Sequence, residues 1–260
     1  AMPSPRVVFV AGMHRAGTSA VARGLAALGV DLGERLMSAD VRQNARGFFE
    51  DVDVVALDDA LLAAHGADWK SVALLAAADW GAAALAPHAA AARALLAART
   101  ARAATFGCKD PRMPRVLPFW QRACADAGVA DAYVIAVRHP RAVVASLTAR
   151  DALDPRRSAW LWLTHLVCAL RYTQGRPRVV VDYDLLLEAL DLGVLELDDA
   201  TAVLADDVVG VLAAGTVAIM TLPGAGDPVQ AFQNMAVADR FSLAVTLIVA
   251  LTTALTLLIS

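Results

Sequence analysis

A glycine-bounded loop near the start of the chain carries residues suited to binding an anion. The apolar run VVFV at residues 7–10 leads into GMHRAGTS at residues 12–19, and an Ala- and Leu-rich helical pattern follows. A strand, a glycine loop and a helix are the local context of a phosphate-binding loop. The pattern GxxxxGK[ST] fits at every defined position but one, because Thr18 stands where the lysine is expected.

The loop carries a positive charge at another position instead of the missing lysine. Arg15 lies between the two glycines with His14 beside it, and Ser19 adds a hydroxyl donor. A nucleotide triphosphatase usually pairs its lysine with Mg²⁺ held by an acidic residue. An arginine without the lysine therefore favours a transferred group of lower charge that needs no metal. A sulfuryl group fits, since it is a monoanion where a terminal phosphoryl group is a dianion. The alternative is a strand–turn–helix whose glycines serve packing alone.

Short apolar runs alternate with helical patterns over the first 190 residues. Strands are predicted at 6–11, 104–108, 132–137 and 178–182, and helices at about 17–28, 54–64, 82–103, 113–126, 140–149 and 157–173. The alternation is typical of βαβ units, so we expect a three-layer α/β P-loop fold with a central, mainly parallel sheet flanked by helices. Ligands of such sheets bind outside the carboxyl ends of the strands.

Candidate binding residues follow each predicted strand, namely Arg15, Lys109, Arg138 and Tyr183 in chain order. Pro140 suits the first turn of a helix that starts just after Arg138. This arginine is therefore expected where a strand end meets a helix N-terminus, which is an anion site. The alternative is a salt bridge from Arg138 to Asp151 or Asp154.

Composition restricts the class of ligand. Residues 1–181 hold 22 basic against 15 acidic residues, a net charge of +7, whereas residues 182–260 carry a net charge of −10. A basic half suits a polyanionic ligand, but it is neither basic nor patterned enough to indicate nucleic acid. Cys108, Cys124 and Cys168 lack CxxC spacing, so we expect reduced thiols, no zinc site and a cytoplasmic location.

The composition changes near residue 190, where we expect a boundary between a catalytic domain, 1–190, and a C-terminal segment, 191–260. That segment is acidic and then strongly apolar, and its last 20 residues, 241–260, hold no charge. This run meets the length criterion for a membrane span. A buried C-terminal element is favoured, and association with a membrane or a hydrophobic partner is the alternative.

Four motifs in order resemble the bacterial sulfotransferase family: GMHRAGTSAVARGLAALGVDLGE, NARGFFEDVDVVALDDALL, KDPRM and VRHPRAVVASLTARD. The resemblance runs from residue 6 to about 190. It implies a fold similar to that of nucleotide kinases and the donor 3′-phosphoadenosine 5′-phosphosulfate (PAPS), which leaves as 3′,5′-ADP. No metal is expected. The acceptor would be a hydroxyl of a small molecule, a lipid or a carbohydrate.

The resemblance also implies roles for individual residues. The 5′-phosphosulfate loop would comprise Arg15, Ala16, Gly17, Thr18 and Ser19, with His14 next to it. Arg138 and Ser146 match the arginine and serine that bind the 3′-phosphate, so Arg138→Ala is expected to spare 5′-AMP affinity. Tyr183 matches a tyrosine near the nucleotide. A C-terminal basic loop used by cytosolic animal members has no counterpart here, since Arg240 is the only cation after Arg178.

Sulfuryl transfer to an alcohol requires a base for the acceptor proton. Glu50 in ARGFFEDVD is the favoured candidate, and members with a GYFE-like motif support it. Its alternative role is a charge at the N-terminus of the next helix, and Asp51 and His14 are rival bases. Lys109 could stabilise charge on the bridging oxygen, or it could pair with Asp110 or another carboxylate.

Two other functions are compatible with the sequence. A P-loop kinase for nucleotides or small molecules would need an acid that binds metal after a strand, and Asp110 or Asp182 could serve. A nucleotide-binding module without catalysis, anchored by the apolar tail, is the second alternative.

Overall fold

A computed structural model of the chain describes residues 5–41, 44, 46–75 and 80–191. Its strands are β1 (Arg6–Ala11), β2 (Thr105–Lys109), β3 (Ala130–Val137) and β4 (Arg178–Asp182). They form one sheet in the order β2-β1-β3-β4. β1 runs parallel to both neighbours, with Phe9 opposite Cys108 on one side and Tyr133 on the other. The four predicted strands are confirmed, and the α/β fold with a parallel sheet flanked by helices is confirmed with them.

The centre of the sheet is β1, whose apolar run at residues 7–10 is 0% exposed. A strand buried on both faces reads as a continuous apolar run, because helices cover each side of a parallel sheet. β1 therefore ends deep inside the molecule. The loop that follows it starts at the carboxyl edge of the sheet, where β2 and β3 also end.

The helices are α1 (Thr18–Ala27), α2 (Val52–Ala64), α3 (Ala86–Arg102), α4 (Met113–Ala127), α5 (Pro140–Asp151), α6 (Pro155–Tyr172) and α7 (Tyr183–Asp191). A short 3-10 helix, Ala83–Leu85, precedes α3. The six predicted helices are confirmed. The sequence reading missed α7, whose start is capped by Asp182 Oδ1 accepting the N–H groups of Asp184 and Leu185.

The connection between α1 and α2 follows the edge of the sheet before it reaches α2. Asp31 bridges in parallel to Phe106 of β2, and Leu36 bridges antiparallel to Asp51. The N–H of Met37 donates to the carbonyl of Glu50 at 2.8 Å. These backbone contacts fix the segment that carries the predicted base.

The chain divides into two compact units after Arg178, and the described part of the second unit comprises the rest of β4 and α7. The boundary expected near residue 190 falls at the edge of the described residues and stays a prediction. The apolar segment 241–260 lies outside them, so its role also stays a prediction. Within the described part of the chain, every helix is too short or too polar to cross a membrane.

Candidate functional site

The β1–α1 loop, Gly12–Gly17, closes as a tight turn. The N–H of Ala16 donates to the carbonyl of Met13 at 3.0 Å. Arg15 has φ of 69° and Gly17 has φ of 89°. A positive φ at the third residue of a hydrogen-bonded turn normally selects glycine. An arginine there costs about 1–2 kcal/mol and persists only where surrounding contacts hold it.

Gly12 allows the loop to approach β3 closely. A β-carbon at this position would lie 2.7 Å from the carbonyl oxygen of Ala136 and 2.8 Å from Cγ2 of Thr18. At the other end of the loop, Gly17 caps α1 without a side-chain hydrogen bond, and the first turn of α1 holds no acidic residue. The first N–H groups of this helix thus receive no side-chain acceptor from the cap, which is what an anion site at a helix N-terminus requires.

The structure brings Arg15, Arg138 and Ser146 together. Arg15 Nε donates to Ser146 Oγ at 2.7 Å. Arg138 Nη1 donates to the backbone carbonyl of Arg15 at 3.1 Å. The residues that the resemblance assigns to the 5′ and 3′ ends of one donor are therefore adjacent, and two of them bond directly to the third.

Arg138 follows β3 and comes just before the first turn of α5, as the sequence predicts. Its backbone carbonyl accepts Trp162 Nε1 at 3.0 Å, which ties the end of the strand to α6. The carboxylates considered as alternative partners bond elsewhere: Asp151 to Arg150 at 2.7 Å, and Asp154 to the N–H of Arg157 at 2.9 Å. These carboxylates have local roles, the second as the cap of α6.

Lys109 and Glu50 form a buried ion pair beside the start of α1. Lys109 ends β2 and is 3% exposed, and Glu50 is 5% exposed. Lys109 Nζ donates to Glu50 Oε1 at 2.5 Å, to the carbonyl of Phe48 at 2.9 Å and to Ser19 Oγ at 3.2 Å. Burial lowers the pKa of Lys109, and the Glu50 carboxylate opposes that shift. The lysine does pair with a carboxylate, and its partner is Glu50.

Ser19 connects the β1–α1 loop to the segment that holds Glu50. Its hydroxyl donates to the carbonyl of Phe48 at 3.3 Å and accepts Nδ2 of Asn44 at 3.1 Å. Thr18 is 4% exposed, whereas Ser19 is half-buried. Asn44 was not singled out as a site residue from the sequence, because its contact joins it to a serine 25 positions earlier in the chain.

Asp51, a rival of Glu50 as the base, has a structural role. Its Oδ1 accepts the N–H of Asp53 and so caps α2, and its Oδ2 accepts Arg99 Nε at 2.7 Å. A second nitrogen of Arg99 binds Asp53 at 2.8 Å. The helix-terminus role considered for Glu50 thus belongs to Asp51 and Asp53, and Glu50 is left beside Lys109.

Two further buried acids lie near the ion pair, and only Asp110 of the two was considered from the sequence, as a partner of Lys109 or as a metal ligand. Asp58 and Asp110 are 0% exposed. Asp110 accepts the N–H of Arg112 at 2.7 Å and its Nη1 at 3.0 Å, while Asp58 accepts Trp120 Nε1 at 2.7 Å. Burial raises the pKa of Asp110 to about 6, against the opposing charge of Arg112. Burial and then the Asp110 charge raise the pKa of Asp58 well above its usual value.

His14, the other rival base, packs against Trp69 with ring centroids 4.5 Å apart. Burial and then the charges of Arg112 and Arg150 hold the pKa of His14 well below its usual value. A weakly basic imidazole is a poor proton acceptor. This arrangement favours Glu50 over His14. Tyr183, the remaining candidate, is the first residue of α7 and belongs to the second compact unit, so its role near a nucleotide stays a prediction.

The structure defines a parallel α/β protein with a glycine-bounded loop after its first strand. No protein-family model matches the chain, and no curated protein matches it.

Proposed function

We propose that the protein is a PAPS-dependent sulfotransferase acting on a hydroxyl group of a small-molecule, lipid or carbohydrate acceptor. The observation that carries the proposal is the arrangement around the β1–α1 loop. Arg138 and Ser146 both bond to Arg15 of this loop. Lys109, paired with Glu50, donates to Ser19 in the first turn of α1. Three cations and a buried carboxylate around a lysine-free anion loop suit transfer of a charged group to a neutral alcohol.

The loop would hold the donor by its 5′-phosphosulfate. The cap of α1 supports that assignment, because Gly17 supplies no side-chain acceptor to the first N–H groups of the helix. Arg15 would contribute its charge, and Arg138 with Ser146 would bind the 3′-phosphate. Bound PAPS would supply the sulfuryl group and leave as 3′,5′-ADP.

Glu50 would accept the proton of the acceptor hydroxyl while the acceptor oxygen forms its bond to sulfur and the bridging S–O bond breaks. Lys109 lies 2.5 Å from that carboxylate and stays next to Ser19 of α1. It would therefore orient Glu50 and offset the negative charge that develops on the departing phosphate. Phe48 and Phe49 directly precede Glu50 in the chain. An acceptor molecule with apolar groups next to its hydroxyl would therefore suit the surroundings of the base.

A P-loop kinase is the principal alternative. It would use Asp110 or Asp182 to hold a metal ion. Asp110 is 0% exposed and bonds to Arg112, which counts against it as a metal ligand. A nucleotide-binding module without catalysis, with a membrane role for 241–260, is the other alternative.

Calorimetric titration with 3′,5′-ADP, 5′-AMP and ATP plus Mg²⁺ tests the proposal. We expect 3′,5′-ADP to bind about 10²-fold more tightly than 5′-AMP, because two or three charge-assisted hydrogen bonds to the 3′-phosphate contribute roughly 1.5–3 kcal/mol each. Tighter binding of ATP with Mg²⁺ than of 3′,5′-ADP would instead support the kinase.

A further inference from the structure

We propose that Arg138 is a positioning residue for the β1–α1 loop, in addition to any contact it makes with a nucleotide. Its Nη1 donates to the carbonyl of Arg15, the loop residue with φ of 69°. Arg138 thus bonds to the backbone at the point where the loop adopts a conformation that L-residues avoid. A residue in that conformation is stable only when contacts from outside the loop hold it.

Three further contacts stabilise the arrangement of Arg138 and the β1–α1 loop. Ser146 Oγ, on α5, accepts a hydrogen bond from Arg15 Nε at 2.7 Å. Ser146 thus restrains the side chain of Arg15, while Arg138 binds its backbone carbonyl. Trp162 Nε1 donates to the carbonyl of Arg138 and fixes the start of the α5 turn. Under the loop, Met13 and Ala16 pack in one buried cluster with Val143, Leu147 and Leu161 of α5 and α6, and Trp162 packs against that cluster. We call Arg138 and Ser146, with their bonds to Arg15, the clasp.

The clasp has a consequence for binding. An anion in the loop needs the turn at Arg15 to be formed, and a ligand's apparent affinity falls with the fraction of protein in the competent state. Loss of Arg138 should therefore weaken ligands that never reach the 3′ site, 5′-AMP included. This expectation differs from the one based on the resemblance alone, which limits Arg138 to the 3′-phosphate. The link between 3′ and 5′ binding rests on the proposed function, whereas the clasp itself does not.

Glycine adopts a positive φ at little cost, whereas alanine keeps the β-carbon that disfavours it. Arg15→Gly and Arg15→Ala both remove the guanidinium and both keep the carbonyl that Arg138 binds. Only the alanine variant still needs the turn to be held. Comparing Arg138→Ala in these two backgrounds thus separates positioning of the turn from direct contact with a ligand.

Calorimetric titration with 5′-AMP and with inorganic pyrophosphate provides the first measurement. We expect Arg138→Ala to cost about tenfold more affinity in the Arg15→Ala background than in the Arg15→Gly background. Arg141→Ala, an exposed arginine near the start of α5, controls for loss of positive charge and should give equal losses in both. Equal losses for Arg138→Ala in the two backgrounds would overturn the inference.

Urea unfolding without ligand provides the second measurement and does not depend on the proposed function. Arg138→Ala should lower the unfolding midpoint less in the Arg15→Ala background than in the Arg15→Gly background, because the alanine turn, once it is no longer held, can relax and recover the cost of its positive φ. Equal midpoint shifts would refute the clasp. If the midpoints differ as expected but neither 5′-AMP nor pyrophosphate binds even the unmodified chain, the clasp stands and the sulfotransferase proposal fails.

Discussion

Lys109 Nζ lies 2.5 Å from Glu50 Oε1 at a place where both side chains are nearly inaccessible to water. The two residues are 59 positions apart in the chain, one at the end of β2 and the other just before α2. A buried carboxylate and ammonium stabilise each other only as a pair, since either one alone would retain an uncompensated charge. The pair therefore connects the chemistry proposed for the site to the stability of the fold.

Replacement of the proposed base should affect turnover more than donor binding. Glu50→Gln keeps the shape of the side chain and removes its basicity, so we expect kcat to fall by about 10²–10⁴-fold, the usual contribution of a general base. Steady-state kinetics with PAPS and an acceptor, together with titration of 3′,5′-ADP, measure both effects. Normal turnover in Glu50→Gln combined with an inactive His14→Gln would assign the base to His14.

Loss of the lysine should destabilise the protein, because Lys109→Met leaves the Glu50 carboxylate buried without its partner. We expect the free energy of unfolding to fall by about 3–5 kcal/mol, as measured by urea denaturation at pH 7. The double variant Lys109→Met/Glu50→Gln removes both charges and should recover part of the loss. A double variant as unstable as the sum of the two single variants would mean that the pair contributes no coupling.

Sequence reasoning predicted the α/β fold because the information was local. The β1 run is apolar throughout, and the helical patterns between the strands are long. The strands and the helices could therefore be recognised from the sequence without knowledge of tertiary contacts. The β1–α1 loop was predicted for the same reason, since its glycines and Arg15 are consecutive in the chain. What the pattern could not indicate was the positive φ at Arg15, which depends on Arg138, 123 positions away.

The choice between Glu50 and Asp51 as the base could not be made from local sequence patterns alone. The two acids are neighbours, and either could have faced a cleft. The Asp51 carboxylate caps the N-terminus of α2 and pairs with Arg99, which lies 48 positions further along the chain. Asp110 was considered as a partner of Lys109 or as a metal ligand, but its burial together with Asp58 was not predicted, because the two acids lie in separate segments of the chain. Only the packing of α2 and α4 around the end of β2 brings them into one low-dielectric region.

Metal removal separates the two enzyme proposals. A sulfuryl group carries one negative charge and the loop supplies Arg15, so sulfuryl transfer should proceed in the presence of EDTA at an unchanged rate. Transfer of a phosphoryl group from ATP would instead stop, because the metal neutralises the triphosphate. The measurement is product formation with PAPS, and separately with ATP, before and after chelation. Activity that appears only with ATP and Mg²⁺ would replace the sulfotransferase proposal by the kinase.

The pH dependence of stability should report the buried Asp110. Its pKa is raised to about 6 by burial, whereas the unfolded chain titrates near the ordinary value of 3.8. Because the folded state binds the proton more tightly, this group's contribution is fully present below about pH 4 and is lost as the pH rises to about 6. The linkage relation gives a loss of roughly 3 kcal/mol over that window.

Asp110→Asn should reduce the slope of the stability profile between pH 4 and 6, because asparagine cannot ionise while its carbonyl oxygen can still accept the N–H of Arg112. Asp58, whose pKa is also raised by burial, retains its own contribution to the slope. Urea denaturation at several pH values in that window measures the slope for each protein. Asp126→Asn is the matched control, since its carboxylate is 59% exposed and lies 3.7 Å from Arg93. If Asp110→Asn and Asp126→Asn keep the same slope as the unmodified chain, the proton uptake in this window belongs to other groups and Asp110 is ionised throughout.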